Sequence, residues 1–363
     1  MTCIPVTILT GFLGSGKTTL LNALLRDPAF AQSAVLINEF GDVQIDHDLV
    51  EEFSAGMITT TTGCLCCTAS SDIKRSLFDI SQKRSDGRIG PYKRVIVETT
   101  GLMDPVPVIN TLLSLPSIGF MERIVSQEFA LSRVVTLFDI VNGPLTLDRY
   151  LEALKQVALA DTVIFTKTDM AHDLATRHDI KESKQRVNAI NPGAVILDRH
   201  ADGSQIAERL LTPVTYDLRG KGEDAQEWLK ADHVSHDHGH GHAHGNGHHH
   251  DHDHGHPHHD PNRHGDDISS HVIALDAPVT RPAFKKFMKT LKANAGTDLL
   301  RLKGLVALAD EPERPIVVHG VQHLIHEVGE LERWPSEDRQ TRVVLIGRNL
   351  DVDRFRKVLS STR

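Results

Sequence analysis

Three things are scarce in this 363-residue chain. Cysteine numbers only four, and three of them, Cys64, Cys66 and Cys67, fall within four residues. Such clustering excludes the disulfide framework that staples small secreted domains. No run of about 18 apolar residues occurs, so no segment can span a bilayer as a helix. Basic charge is not in excess either. The 40 Lys and Arg stand against 48 Asp and Glu, and the net charge of −8 argues against general nucleic-acid binding. Strand-like sequence begins almost at Met1, leaving no room for a signal peptide and pointing to the cytoplasm. What is present is ordinary globular composition, 40% hydrophobic, in a length that suits two domains of ~100–200 residues.

The organising stretch lies at the start. An apolar run, Val6-Thr-Ile8-Leu9, reads as a buried strand and is followed by Gly11-Phe-Leu-Gly14-Ser15-Gly16-Lys17-Thr18-Thr19. This fits the phosphate-loop pattern G-x-x-x-x-G-K-[ST] at every fixed position. The glycines let backbone N–H groups turn toward phosphate oxygens, Lys17 can reach the β- and γ-phosphates, and the Thr18 hydroxyl can ligate Mg²⁺. Leu20, Leu21, Leu24 and Leu25 then mark a helix whose N-terminus would face the phosphates.

Further along, apolar runs predict strands at Ser33 to Ile37, Arg94 to Glu98, Val134 to Ile140 and Thr162 to Phe165. Helices are expected from Ser71 or Asp72 to Lys83, after Pro105 and Pro107 within Leu102 to Leu115, and around Tyr150 to Ala158. Strands alternating with helices imply a doubly wound, mostly parallel α/β sheet closing near Leu211. Between His233 and His264 the composition changes: 15 of the chain's 23 histidines lie there among Gly, Asp and Pro. With almost nothing apolar to bury, this reads as a flexible linker. A smaller α+β domain follows, with strands at Ile268 to Asp276, Leu299 to Leu308, Pro315 to Ile325 and Arg342 to Ile346. Its helices carry Phe284, Phe287, Met288 and Leu291, then Val352, Phe355, Val358 and Leu359. The expected division is 1–215, a linker over 216–267, and 268–363.

Beside Lys17 and Thr18, the residue placed for catalysis is Glu98, at a strand end where it can orient the Mg²⁺ shell. The Gly101 amide can meet the γ-phosphate. Thr166-Lys167-Thr168-Asp169 fits the guanine pattern [NST]-K-x-D. There Asp169 would accept from guanine N1–H and the exocyclic amine, which adenine cannot satisfy, and the Lys167 stem would lie along the base. Thr166 replaces the commoner Asn. GTP is therefore the expected nucleotide.

Cys64, Cys66 and Cys67 can turn three soft thiolates toward one ion, and with one N or O ligand they would make a tetrahedral zinc site. Glu39 and Asp42 are candidates for its fourth ligand or for the Mg²⁺ shell. The cysteine loop falls between two strands, where nucleotide switches sit, so γ-phosphate contacts can order or release it. The histidine tract would bind soft divalent ions weakly and lose capacity in acid. Cys3 is expected in the core of the first strand. His319, His323 and His326, read on one strand, would place His326 opposite the other two. No residue is marked for positioning the attacking water.

With these residues in hand, the chain resembles the CobW-like family of metallochaperone GTPases. The resemblance rests on Gly11–Thr18, Asn38-Glu39-Phe40-Gly41, Gly63-Cys64-Leu65-Cys66-Cys67, Glu98-Thr99-Thr100-Gly101 and Thr166-Lys167-Thr168-Asp169. Arg301-Leu-Lys303-Gly304, Gly320-Val321 and Val344-Leu345-Ile346-Gly347 look like that family's second domain. The resemblance implies slow GTP hydrolysis, Zn²⁺ at the Cys-x-Cys-Cys motif with Co²⁺ as the alternative ion, and delivery to a client metalloprotein; the alternatives are a metal buffer built on the histidine tract and a GTP-dependent metal sensor that does not deliver. It sets no client identity and no oligomeric state.

Overall fold

The computed structural model describes residues 3–38, 58–61, 69–113, 119–170, 174–212 and 268–361, apart from positions 295, 297, 323, 336 and 338. The first part is a seven-stranded parallel sheet built from β1 (Ile4–Gly11), β2 (Ser33–Asn38), β3 (Ile58–Thr61), β4 (Arg94–Thr99), β5 (Phe129–Asp139), β6 (Thr162–Thr166) and β7 (Val195–Asp198). Their order across the sheet is β3-β2-β4-β1-β5-β6-β7. The chain leaves β1 toward β2 and later returns past it to β5. A crevice therefore opens at the C-terminal end of β1, where such sheets bind ligands.

Sheet strands buried on both faces need near-continuous apolar sequence, and β4 shows why. Val95 and Val97 pack to one side, against Ile73, Leu77 and Ile80 of α2 (Ala69–Ser85) and Val108 and Ile109 of α3 (Val106–Leu113). Ile96 packs to the other side, with Leu20, Leu21 and Leu24 of α1 (Lys17–Leu25). Past α4 (Phe120–Glu128), the β5 to β7 side is covered by α5 (Gly143–Arg149), α6 (Leu151–Leu159), α7 (Leu174–Ile190) and α8 (Gly203–Leu211).

The second part is a five-stranded antiparallel sheet ordered β11-β10-β9-β12-β8. Its strands are β8 (Ile268–Leu275), β9 (Leu299–Val306), β10 (Ile316–Val321), β11 (Leu324–Glu330) and β12 (Thr341–Arg348). The helices α9 (Arg281–Asn294) and α10 (Val352–Leu359) cover one face, burying Phe284, Phe287, Leu291, Phe355 and Leu359. The other face meets the first part. There Leu300 and Ile346 pack on Ala158, and the guanidinium of Arg301 donates to the carbonyl of Leu159 and to Asp161. No helix among the described residues is long and apolar enough to cross a membrane.

Two expectations are corrected and one is refined. The segment from Pro315 to Ile325 is not one strand: the chain reverses at Gln322, whose φ is 52°, so that His319 and His326 become register partners on β10 and β11. The helix expected after Pro105 and Pro107 runs over Val106–Leu113, with Pro107 in its first turn. Cys3 is exposed rather than core, since β1 begins one residue later and the thiol reaches only the Gln127 carbonyl at 3.4 Å.

Candidate nucleotide site

The loop after β1 is formed by glycines whose backbone other residues adopt only with strain or a clash. Gly14 and Gly16 hold φ of 70° and 89°, in the left-handed region. At Gly11 a Cβ would lie 2.5 Å from the carbonyl oxygen of Leu137, so β1 and β5 approach as closely as they do only because none is there. Gly16 ends the loop and opens α1. Ser15 is buried within it, its N–H donating to the Phe12 carbonyl at 3.2 Å. Lys17 folds over the loop, its Nζ donating to the carbonyls of Gly11 at 2.8 Å and Phe12 at 3.1 Å. A phosphate arriving there can exchange those neutral acceptors for charged ones.

Glu98 lies beside Leu9 in register and is 4% exposed. The Thr18 hydroxyl donates to its Oε1 at 2.7 Å. Next to it, the Thr99 hydroxyl donates to that of Thr10 at 2.9 Å, fastening the end of β4 to the end of β1. Gly101 then lies against the loop so tightly that a Cβ would meet the Leu13 nitrogen at 2.6 Å. The side-chain amide of Gln156, on α6, donates to the carbonyls of Gly101 at 3.0 Å and Met103 at 3.2 Å.

Each of the first three residues of Thr166-Lys167-Thr168-Asp169 is tied to a different element. Thr166 donates to the Ser15 carbonyl at 2.9 Å, Lys167 to Asp139 Oδ2 at 2.6 Å, and Thr168 to Asp198 Oδ1 at 2.8 Å. Asp169 is exposed, with His200 Nε2 3.0 Å from its Oδ1. Burial alone would raise the Asp139 carboxyl. Hydrogen bonds from Lys167, Asn142 and the Val141 amide outweigh that and hold it below its ordinary 3.8. A small cleft opens beside the loop, lined by Phe12, Leu13, Asp139, Asn142 and Gln156 among others, though not by Lys17 or Thr18.

The structure thus gathers Gly11, Gly14, Ser15, Gly16, Lys17, Thr18, Glu98, Gly101, Thr166, Lys167 and Asp169 at one end of the sheet, with Thr19 following on α1. Glu39, Asp42, Cys64, Cys66 and Cys67, and the histidine tract, lie outside the described residues. Among those described, no group of three or more His, Cys, Asp or Glu is placed to hold a metal ion. The sequence reading missed Asp139, Gln156, Asp198 and His200. Asp139 carries the signal that marked Glu98, an acid closing an apolar strand; Gln156 gives no signal, because only the fold brings it to Gly101.

This is the site of a phosphate-loop nucleotide-binding protein. The model of the CobW/HypB/UreG nucleotide-binding domain matches residues 5–198, and that of the cobalamin synthesis protein CobW C-terminal domain matches residues 268–363. The chain belongs to the CobW/HypB/UreG family. It is 30% identical to the zinc chaperone YjiA of Escherichia coli, over the whole of both chains. To the zinc-regulated GTPase metalloprotein activator 1 of Schizosaccharomyces pombe it is 26% identical, over 96% of this chain and 83% of that one. A zinc-bound triple variant of the YjiA GTPase superposes over all of both chains with a TM-score of 0.68 at 25% identity. The expectations of this family, of its two-part fold and of a GTPase are borne out.

Proposed function

We propose that the chain is a cytoplasmic GTPase that carries Zn²⁺ on Cys64, Cys66 and Cys67 and passes it to a client metalloprotein. In this reading residues 1–215 form the GTPase domain, 216–267 a histidine-rich linker, and 268–363 the second domain. Full-length similarity to proteins named as zinc chaperones supports the cargo. The observation that carries the nucleotide half is the Thr18 hydroxyl 2.7 Å from a buried Glu98, with Gly101 packed on the same loop.

A hydroxyl beside a carboxylate is a pair of hard oxygen donors, the chemistry Mg²⁺ favours, so Thr18 and Glu98 fit its shell. When bound, Mg²⁺ would neutralise charge developing on the β- and γ-phosphates. Lys17 holds those phosphates, the Gly101 amide registers the γ-phosphate, and Lys167 and Asp169 hold the base.

Magnitudes favour a docked transfer. Structural zinc sites are worth ~10–16 kcal/mol, so release into water is slow. Coupling between sites is typically ~1–3 kcal/mol, enough to bias a ligand exchange about 5–150-fold and too little to eject the ion. The client's ligands therefore displace the thiolates directly. The test is zinc affinity with GTP, GDP or no nucleotide, measured with and without Cys66→Ala, with Co²⁺ in parallel. Identical zinc affinity in all three nucleotide states would sink the delivery mechanism and leave the GTPase untouched.

A further inference from the structure

Lys167 holds φ of 61° in a region that L side chains rarely adopt. The other described non-glycine residues with positive φ are Gln322, at a hairpin reversal, and Asn349, just past β12. Lys167 is different: it stands inside a binding motif, and its backbone strain is of the kind retained where neighbouring structure over-determines a functional geometry.

The over-determining neighbour is Asp139. Its carboxylate, 7% exposed, accepts the Lys167 ammonium at 2.6 Å on Oδ2, which also accepts Asn142 Nδ2 at 2.9 Å. Oδ1 accepts the Val141 and Asn142 amides at 2.9 and 3.4 Å. The carboxylate is thus fixed from the β5–α5 turn before it reaches the lysine. Asp139 is also the sheet neighbour of Thr166, and the Ile140 amide donates to the Thr166 carbonyl at 3.2 Å. The Lys167 head is thus anchored from the end of β5.

We propose that Asp139 is the positioning residue for purine recognition: by gripping Lys167 it holds that side chain's stem as a platform for the face of the base. This rests on the reading of Thr166 to Asp169 as the guanine site. It adds a division of labour. A stem against the ring face touches every purine alike, so Asp139 sets affinity, whereas Asp169, reading the ring edge, sets choice.

The test uses the full chain and equilibrium binding of GDP, XDP and ADP. Asp139→Asn keeps the shape and loses the charge. It should weaken GDP about tenfold, the scale of one charged hydrogen bond, with the GDP-to-ADP ratio unchanged. Lys167→Met should weaken GDP similarly, and the double variant should be no worse than either single one. Asp169→Asn should turn the preference toward XDP, and adding Asp139→Asn should weaken XDP by the same factor. Fully additive losses from positions 139 and 167, or a changed GDP-to-ADP ratio in Asp139→Asn, would overturn the proposal. Should Asp139→Asn fail to fold, because it also loses the bond from the Asn142 side chain to Oδ2, Lys167→Met decides alone: wild-type GDP affinity there refutes the platform. An unaltered base preference in Asp169→Asn would instead refute the guanine reading, leaving the 139–167 coupling to be judged separately.

Discussion

The hydroxyl of Thr166 donates to the carbonyl of Ser15 at 2.9 Å, joining the end of β6 to the phosphate loop across 151 positions of sequence. Both residues are buried, so neither group can turn to water instead. Base motif and phosphate motif are therefore one mechanical unit. Thr166→Val, nearly isosteric, would leave the Ser15 carbonyl facing a methyl group at a cost of about 1–3 kcal/mol. Its thermal midpoint and its GDP affinity should both fall. Thr166→Ser, which keeps the donor, should stay near wild type in both. A Val variant that loses neither would mean the contact is incidental.

Glu98 meets Thr18 at the point where the phosphates would end. Glu98→Gln keeps an acceptor for the hydroxyl and removes the charge. GTP turnover should drop by about 10²-fold, the scale of losing one preorganised electrostatic partner. GDP affinity in the presence of a Mg²⁺ chelator should not move. Steady-state turnover across a Mg²⁺ titration checks this, and a variant that still responds to Mg²⁺ as the wild type does would remove Glu98 from that role.

Much of the fold was legible because its signals are local. Gly11 to Thr18 can be read since phosphate chemistry fixes residue types at fixed spacing, and β4 since burial on both faces leaves an unbroken apolar run. The failures are equally physical. The strand β3, Ile58–Thr61, is polar and lies at the sheet edge, so no burial pattern marks it. In α4 only Val125 is buried, too little for a periodicity. Arg301 and Lys303, alternating along β9, are covered by the first part of the chain, which no local pattern records. The site's chemistry was thus visible where it lies in motifs, and invisible where side chains such as Gln156 reach it through tertiary packing.

That glutamine is 1% exposed, and it holds the carbonyls of Gly101 and Met103 while the Thr136 hydroxyl fixes its own carbonyl at 2.6 Å. Beside it Lys155 bonds Asp104 at 2.6 Å. The segment that would register the γ-phosphate is therefore hung from α6. Gln156→Leu would leave two carbonyls without these donors and let the segment drift. Misplacement on this scale costs about tenfold or more in kcat, while GDP, which has no γ-phosphate, should bind as before. Single-turnover hydrolysis alongside GDP titration separates the two. Equal losses in both would point to general damage.

The far end of the same helix is held from the second part of the chain. Arg301 and Lys303 both reach Asp161, and burial, reinforced by the neighbouring Arg301 charge and opposed by Asp161, pulls the Lys303 ammonium from its ordinary 10.5 down to about 8. A depressed lysine implies a definite sign. Between pH 8 and 10.5 the unfolded chain holds a proton the folded one has shed, so this residue's contribution to stability rises with pH across that window. It is complete above 10.5 and lost as pH falls through 8. Lys303→Met removes the titration. Urea midpoints at intervals from pH 7.5 to 10 should show the wild type gaining on this variant as pH rises. In Arg301→Ala the repulsive neighbour is gone, the ammonium is easier to keep, and the gain with pH should shrink. A wild type that instead loses ground to Lys303→Met over this range would mean that Asp161 outweighs burial, and that the lysine stays charged where the two parts of the chain meet.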